Sequence, residues 1–140
     1  MPRRSSRRRR SGCPISIALE MVGDAWSLLI VRDLMFKNLR TFHAFQRGGE
    51  GIASNILSDR LARLEHAGIV TKRADATDAR RFVYRLTAKG LDLAPMLVEL
   101  VLWSAKHEET DAPPATLREM RRRRGRFLKR LVRDSAASSP

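Results

Sequence analysis

The chain has one cysteine, Cys13, in 140 residues. No intrachain disulfide can form, and a reducing compartment is the setting that suits it. Histidine is almost as scarce. His43, His66 and His107 stand at no ligand spacing from Cys13 or from one another, so no metal site is expected and no cofactor is implied. No Gly-rich phosphate loop, nucleophile elbow or paired-carboxylate motif occurs, which argues against an enzyme. An enzyme would need Cys13 as nucleophile with a histidine folded against it, and nothing local indicates one. Aromatic residues make up only 6% of the chain. The stacking surface of single-stranded RNA modules is therefore lacking. No apolar run approaches the length of a membrane span. The basic N-terminus is not followed by an uninterrupted apolar region with a cleavage site, so no signal peptide is expected. There is no internal repeat. These absences together point to a soluble, cytoplasmic, single-domain protein whose work is binding.

Acid is the other scarcity. The chain holds 28 Lys and Arg against 15 Asp and Glu, a net charge of +13. The excess is not spread evenly. Residues 1–12 carry six arginines and no acid, and residues 118–134 carry nine basic residues against Glu119 and Asp134. The stretch between them, 13–117, is formally neutral. Basic ends suit a polyanion, either nucleic acid or an anionic membrane face. The arm over 1–12 is low-complexity and expected to be disordered; it reads as a phosphate-following arm or as a solubilising tail.

The stretch Gly51–Val70 organises what lies between. Leu57, Leu61 and Leu64 recur at i, i+4 and i+7, the spacing of one buried helix stripe. Gly68 marks the stop, and Ser54 is a candidate N-cap. The face opposite the leucines carries Asn55, Ser58, Asp59, Ala62, Arg63 and His66. Taken alone, such a helix reads as a solvated surface helix. A face of this kind also suits the major groove, where side chains bond base edges. Before it, Thr41–Gln46 forms a short helix with Phe42 and Phe45 inward and Thr41 as cap, and Arg47–Gly51 is a flexible turn. A short helix, a glycine turn and a second helix with a polar outer face are the parts of a helix-turn-helix.

The flanks complete the pattern. Pro14 opens a first helix with Ile15, Ala18, Leu19 and Val22 on one stripe, and Asp24 caps the next, which carries Trp26, Leu29, Ile30, Leu34 and Met35. After Gly68 the period changes to that of strands. Ile69–Arg73, a polar tip over Ala74–Ala79 and Arg80–Thr87 form a hairpin, with Phe82, Tyr84 and Leu86 on one face. Thr87 caps a long helix from Ala88 to about His107, kinked at Pro95. Leu97, Leu100, Val101 and Trp103 help make that helix apolar nearly all round. It must be buried all round, and a second copy of the chain is the simplest cover for its outer side. A last basic amphipathic helix is expected over 115–134.

The chain resembles winged helix-turn-helix regulators of the HxlR type, relatives of the MarR-like regulators. The resemblance rests on Cys13-Pro14, on Gly23 to Ile30 (GDAWSLLI), and on Phe42 and Phe45. It continues through Gly51 to Leu57 (GIASNIL) with Arg60-Leu61, through Tyr84 to Thr87 with Lys89-Gly90, and through Trp103. It covers 13–109. It implies a mainly α fold with a small β-hairpin (α+β), and a bacterial homodimer on double-stranded operator DNA. It also implies dimer contacts from the first helix, where Ile15 lies, and from the long C-terminal helix, and it favours repression. The arginine-rich arm and the helix after Pro114 exceed the family pattern.

Roles for single residues follow. Asn55, Ser58 and Arg63 read bases. Ser54 and Thr41, at helix starts, meet phosphates. Arg80 and Arg81 flank the wing and meet phosphates or the minor groove. Asp59 either pairs with Arg63 or accepts from a cytosine amine. Cys13 stands before a helix start and beside the arm's arginines, which favours thiolate chemistry, and resembling regulators use a cysteine here as a thiol sensor. The other reading of Cys13 is a small residue packed under the first helix. A small-molecule or redox effector fits the family, without an identity. The competing function is a basic RNA- or ribosome-associated protein without base specificity.

Overall fold

A computed structural model describes residues 8–137. The expected arm over 1–12 lies mostly outside them. Eight helices and one hairpin follow in the order α1 (Pro14–Val22), α2 (Ser27–Met35), α3 (Phe42–Gln46), α4 (Ser54–His66), β1 (Val70–Ala74), β2 (Phe82–Leu86), α5 (Ala88–Leu91), α6 (Ala94–His107), α7 (Pro114–Arg122) and α8 (Arg124–Ala137). The mainly α fold with a two-stranded wing is as the sequence indicates.

The core forms around α2 and α4. Val31, Leu34, Leu57 and Leu64 are fully buried, and Ile30, Phe45, Leu61, Val70 and Tyr84 close around them. Burying one such side chain is worth about 1.5–3 kcal/mol, so the leucine stripe alone commits α4 to one orientation about its axis. Its stop is sharp. Gly68 has φ +76°, the Gly68 N–H donates to Glu65 O and the Ile69 N–H to Leu64 O. This is the paired closure of a Schellman end, and only glycine adopts that φ without cost. The start differs from expectation. Ala53 is the cap residue and Ser54 is already helical, its hydroxyl accepting from Gln46 Nε2. Thr41 does cap α3, accepting from the Ala44 N–H at 3.2 Å.

The wing pairs antiparallel, with Val70 opposite Leu86 and Ala74 opposite Phe82. Tyr84 points into the core and packs edge-on to Phe45, with ring centroids 6.0 Å apart. Its N–H donates to Arg40 O at 2.7 Å, so the segment before α3 lies along the hairpin without being a strand. Phe82, on the same face, lies outside the core at 44% exposure and is covered by the Lys72 ammonium instead.

Two long helices are each broken. Instead of one kinked helix over 88–107, α5 ends at Leu91 and α6 begins at Ala94, which puts Pro95 in a first turn. No interior backbone bond is lost there, because the N–H that proline lacks had no helical partner. The last helix is divided at Arg123 (φ −132°, ψ 45°), within the arginine run and before Gly125, where helix propensity is weakest. The division lets α7 lie on α6 while α8 reaches both α6 and α2. Val98, Met120 and Phe127 are buried together there, with Val101, Leu102, Leu128 and Leu131 around them. Part of the α6 surface assigned from sequence to a second copy is thus covered from within. Leu97, at 6% exposure, belongs to the core and not to a free face, and Val101 packs on the C-terminal helices. Ile15, Leu19, Leu100 and Trp103 stay exposed, at 71%, 60%, 44% and 64%.

A polar tie fixes α4 against α2. Asp24 Oδ1 accepts from the N–H groups of Trp26 and Ser27 at 2.9 and 3.0 Å, and its other oxygen accepts from the Ser27 hydroxyl. Arg60 of α4 donates Nε to the same carboxylate at 3.0 Å. Partial burial works against the charge of Asp24. The Ser27 hydroxyl, the two backbone donors and Arg60 outweigh it, and hold the carboxyl well below the usual 3.8. An acid with a depressed native value adds stability above its unfolded value and loses it as pH falls through the native one. We expect Asp24→Ala to cost about 2 kcal/mol at pH 7. The gap to wild type should narrow as pH falls below 3.8, where the unfolded chain takes up the proton first. Urea denaturation across pH 3–7 measures this, and a gap that widens toward low pH would refute it.

Candidate nucleic-acid interface

The outer face of α4 is free of packing duties. Ser54, Asn55, Ser58, Asp59, Ala62, Arg63, Glu65 and His66 are exposed, while Leu57, Leu61 and Leu64 on the opposite side are buried. Asn55 and Ser58 form no side-chain hydrogen bond within the described residues, so their donors and acceptors face solvent. Asp59 is paired: its Oδ2 lies 3.1 Å from Arg63 Nε and also accepts from Arg60 Nη1. Of the two readings of Asp59, the structure shows the ion pair. Arg63 is 61% exposed in its side chain and held at one nitrogen, which leaves the rest of its guanidinium fork outward. Arg60, invisible to the sequence reading as anything but part of a motif, links Asp24, Asp59 and the helix that carries Asn55.

The turn between α3 and α4 is expected to be flexible, but it is clipped to α2. Gly49 and Gly51 have φ of +102° and +68°. Lys37 Nζ donates to Gly48 O, and Arg32 joins the buried Asp33 to Glu50. The Arg32 guanidinium holds the Glu50 carboxyl below the usual range. Such a clip limits how far α3 and α4 can separate. His43 and Arg47, exposed on α3 and at its end, project beside the same turn. Sequence reasoning passed over them because neither lies on a helix long enough to show a face.

The wing arginines turn out unequal. Arg80 is 92% exposed in its side chain, with one contact to Asp78 at 3.3 Å. Arg81 grips Asp75 through Nε and Nη2, at 2.9 and 2.6 Å, across the hairpin tip. Asp75 also accepts from the Thr77 N–H and hydroxyl, and its N–H donates to Arg81 O. The Thr77 backbone donor, Arg81 and the Thr77 hydroxyl pull the Asp75 carboxyl down to about 2. Arg81 is therefore first a brace of the tip. Lys72 and Arg73 on β1 are exposed beside Arg80 in the wing and add to its positive charge.

Cys13 is exposed, which removes the reading of a residue packed under the first helix. It stands one residue before Pro14, and its N–H donates to Ser11 Oγ at 3.2 Å. Among the described residues, no single helix is long and apolar enough to cross a membrane.

Comparison with known proteins gives this geometry a family. The model of the HxlR-like helix-turn-helix family matches residues 21–112. The HTH-type transcriptional regulator Rv3095 of Mycobacterium tuberculosis is 36% identical over 111 residues, which cover 79% of this chain and 69% of that protein. The HTH-type transcriptional regulator YvaP of Bacillus subtilis is 32% identical over 95 residues, 67% of this chain and 87% of its own. Among solved structures, PA1607 superposes with a TM-score of 0.68 at 35% identity, over 75% of this chain and 72% of that one. The reduced form of the transcriptional regulator YodB from B. subtilis superposes with a TM-score of 0.58 at 26% identity, over 69% and 95%. The free polar face on α4, the clipped glycine turn and the basic wing all lie within the matched span. The chain belongs to the HxlR-like helix-turn-helix family of DNA-binding transcriptional regulators.

Proposed function

We propose that the protein is a sequence-specific repressor that binds double-stranded operator DNA as a homodimer in the bacterial cytoplasm. The observation that carries this reading is the division of α4 into a buried leucine side and an exposed side of unengaged hydrogen-bonding groups. Asn55, Ser58 and Arg63 read base edges in the major groove, with Asp59 orienting Arg63. Ser54 and Thr41 contribute hydroxyls at the helix starts, and Arg80 meets phosphate or the minor groove from the wing, with Arg81 holding the tip in shape. A dimer sets two such helices on half-sites about one helical turn, roughly 34 Å, apart. Repression is the mode because a dimer seated on an operator excludes other proteins from the same DNA.

Reading and positioning give separate phenotypes. Asn55→Ala or Ser58→Ala should relax preference at one or two base pairs, each by about 1–3 kcal/mol, and leave the salt dependence nearly unchanged. Arg80→Ala should weaken binding to all sequences and flatten the log–log salt slope by about 1 unit. Salt titrations on operator and scrambled duplex check both. Equal losses on both DNAs for the Asn55 and Ser58 variants would mean that this face does not read sequence.

Homodimerisation is supported by the apolar side chains left open on α1 and α6. Leu100→Asp combined with Trp103→Asp should yield a folded monomer with weak operator binding, since both residues are exposed in the protomer. Sedimentation velocity decides, and a wild type that is monomeric at micromolar concentration would remove the proposal.

A thiol effector is the second part of the reading, favoured by the exposure of Cys13. YodB has been solved after diamide treatment, at 27% identity to this chain. Cys13 is the only thiol of this chain, so any disulfide must join two chains. Diamide, itself reduced to the hydrazine, should convert the wild type to a reducible covalent dimer and change its operator affinity. Cys13→Ser should show neither effect on non-reducing gels or in binding assays. Unchanged release from DNA by the Cys13→Ser variant would rule the sensor out.

A further inference from the structure

The C-terminal helices lie beyond the family match, which ends at residue 112. They are not a charged tail. Met120 and Phe127 are buried at 2% and 6%, and Leu128, Leu131 and Val132 pack on the main core. The arginines are thereby set on a fixed frame. Arg118, Arg122, Arg123, Arg126 and Arg130 line an open groove of about 390 Å³ along α7 and α8, with Glu119 as its one acid. A second groove continues it through Lys129 and Arg133, sharing Arg126 and Arg130. Glu119 is taken up by Arg130, and Arg124 pairs with Glu99 of α6. Arg118, Arg122, Arg123 and Arg126 form no ion pair among the described residues.

We propose that this strip is a second, sequence-independent grip on duplex DNA, holding phosphates outside the bases read by α4. The inference extends the DNA-binding reading and rests on it. Three features favour a duplex backbone over other polyanions. Arginine forks match phosphate oxygens in pairs. The only aromatic ring of the two helices, Phe127, is buried with Arg130 over its face, so no stacking platform for unpaired bases is offered. The 14 residues of α8 span about 21 Å, close to six base-pair steps of about 3.4 Å, so several cations meet one backbone at once. Contacts of this type fix affinity and register and carry no sequence information.

The test compares wild type with the full-length triple variant Arg118→Ala, Arg122→Ala, Arg126→Ala and with its Arg→Lys counterpart. All three positions are exposed, so circular dichroism and the melting transition should be unchanged. Affinities are measured for a random-sequence duplex, its single strand and polyglutamate between 50 and 200 mM salt, and base preference by selection from a random library. The expected result is a duplex salt slope flattened by about 2–3 units in the Ala variant and largely kept in the Lys variant, with base preference unaltered. An unchanged slope overturns the proposal. So does a loss confined to polyglutamate, which would indicate an acidic protein partner, or one confined to the single strand, which would indicate RNA. A wild type without base preference defeats the operator reading alone, and the slope comparison still decides this one. A wild type that binds no duplex defeats both.

Discussion

One carboxylate carries more of this architecture than its size suggests. Asp24 gathers the first N–H groups of α2, the Ser27 hydroxyl and the Arg60 guanidinium of α4. The leucine stripe of α4 fixes rotation about its axis but leaves sliding along it comparatively soft, since apolar contacts are not directional. A charge-assisted bond is directional, and a guanidinium held at a helix start sets the axial position as well. The outer face of α4 is thus located by two different kinds of force, and neither one involves the exposed side chains of Asn55 and Ser58.

Arg60 also spans the boundary between scaffold and surface. It holds Asp24 on one side and Asp59 on the other, and Asp59 in turn holds Arg63. A chain of alternating charges therefore runs from the end of the α1–α2 turn to the exposed face. Its outer members are screened by solvent and contribute little to stability. Their effect is on side-chain freedom: a partly restrained Arg63 has less entropy left to lose in any further contact. The wing repeats this arrangement with Asp75 and Arg81, and there the braced arginine stands beside an exposed one, Arg80, which touches Asp78.

What could be read from the sequence was what the chain decides locally. The Leu57, Leu61 and Leu64 spacing, the stop at Gly68, the cap at Thr41 and the alternation from Phe82 to Leu86 all depend on near neighbours, and each appears in the fold. The α4 face opposite the leucines follows from the same period. What the sequence leaves open has a common source, in partners distant along the chain. A helix apolar on all sides does not reveal what covers it, at Leu97 or at Val101. Here α7 and α8 cover part of it. The Asp24–Arg60 tie spans 36 residues and leaves no periodic trace. Arg80 and Arg81 are equivalent as letters, and only the fold of the tip distinguishes them. In a continuous helix Pro95 would be a kink; the restart at Ala94 places the proline where it costs least.

Arg40 ties the last helix to the rest of the fold. Its guanidinium donates to Leu34 O at the end of α2 and to Ser135 O in the last helix, and its own carbonyl accepts from Tyr84 in the wing. The hydrophobic cluster of Val98, Met120 and Phe127 runs through the same junction. The end of the family match, at residue 112, therefore cuts through a continuous interior. A chain trimmed there would keep every residue of the helix-turn-helix and wing, yet bare Val98 and remove the Ser135 acceptor beside the hairpin. The span of the family match and the packed interior are different objects in this protein, and the second reaches two helices further.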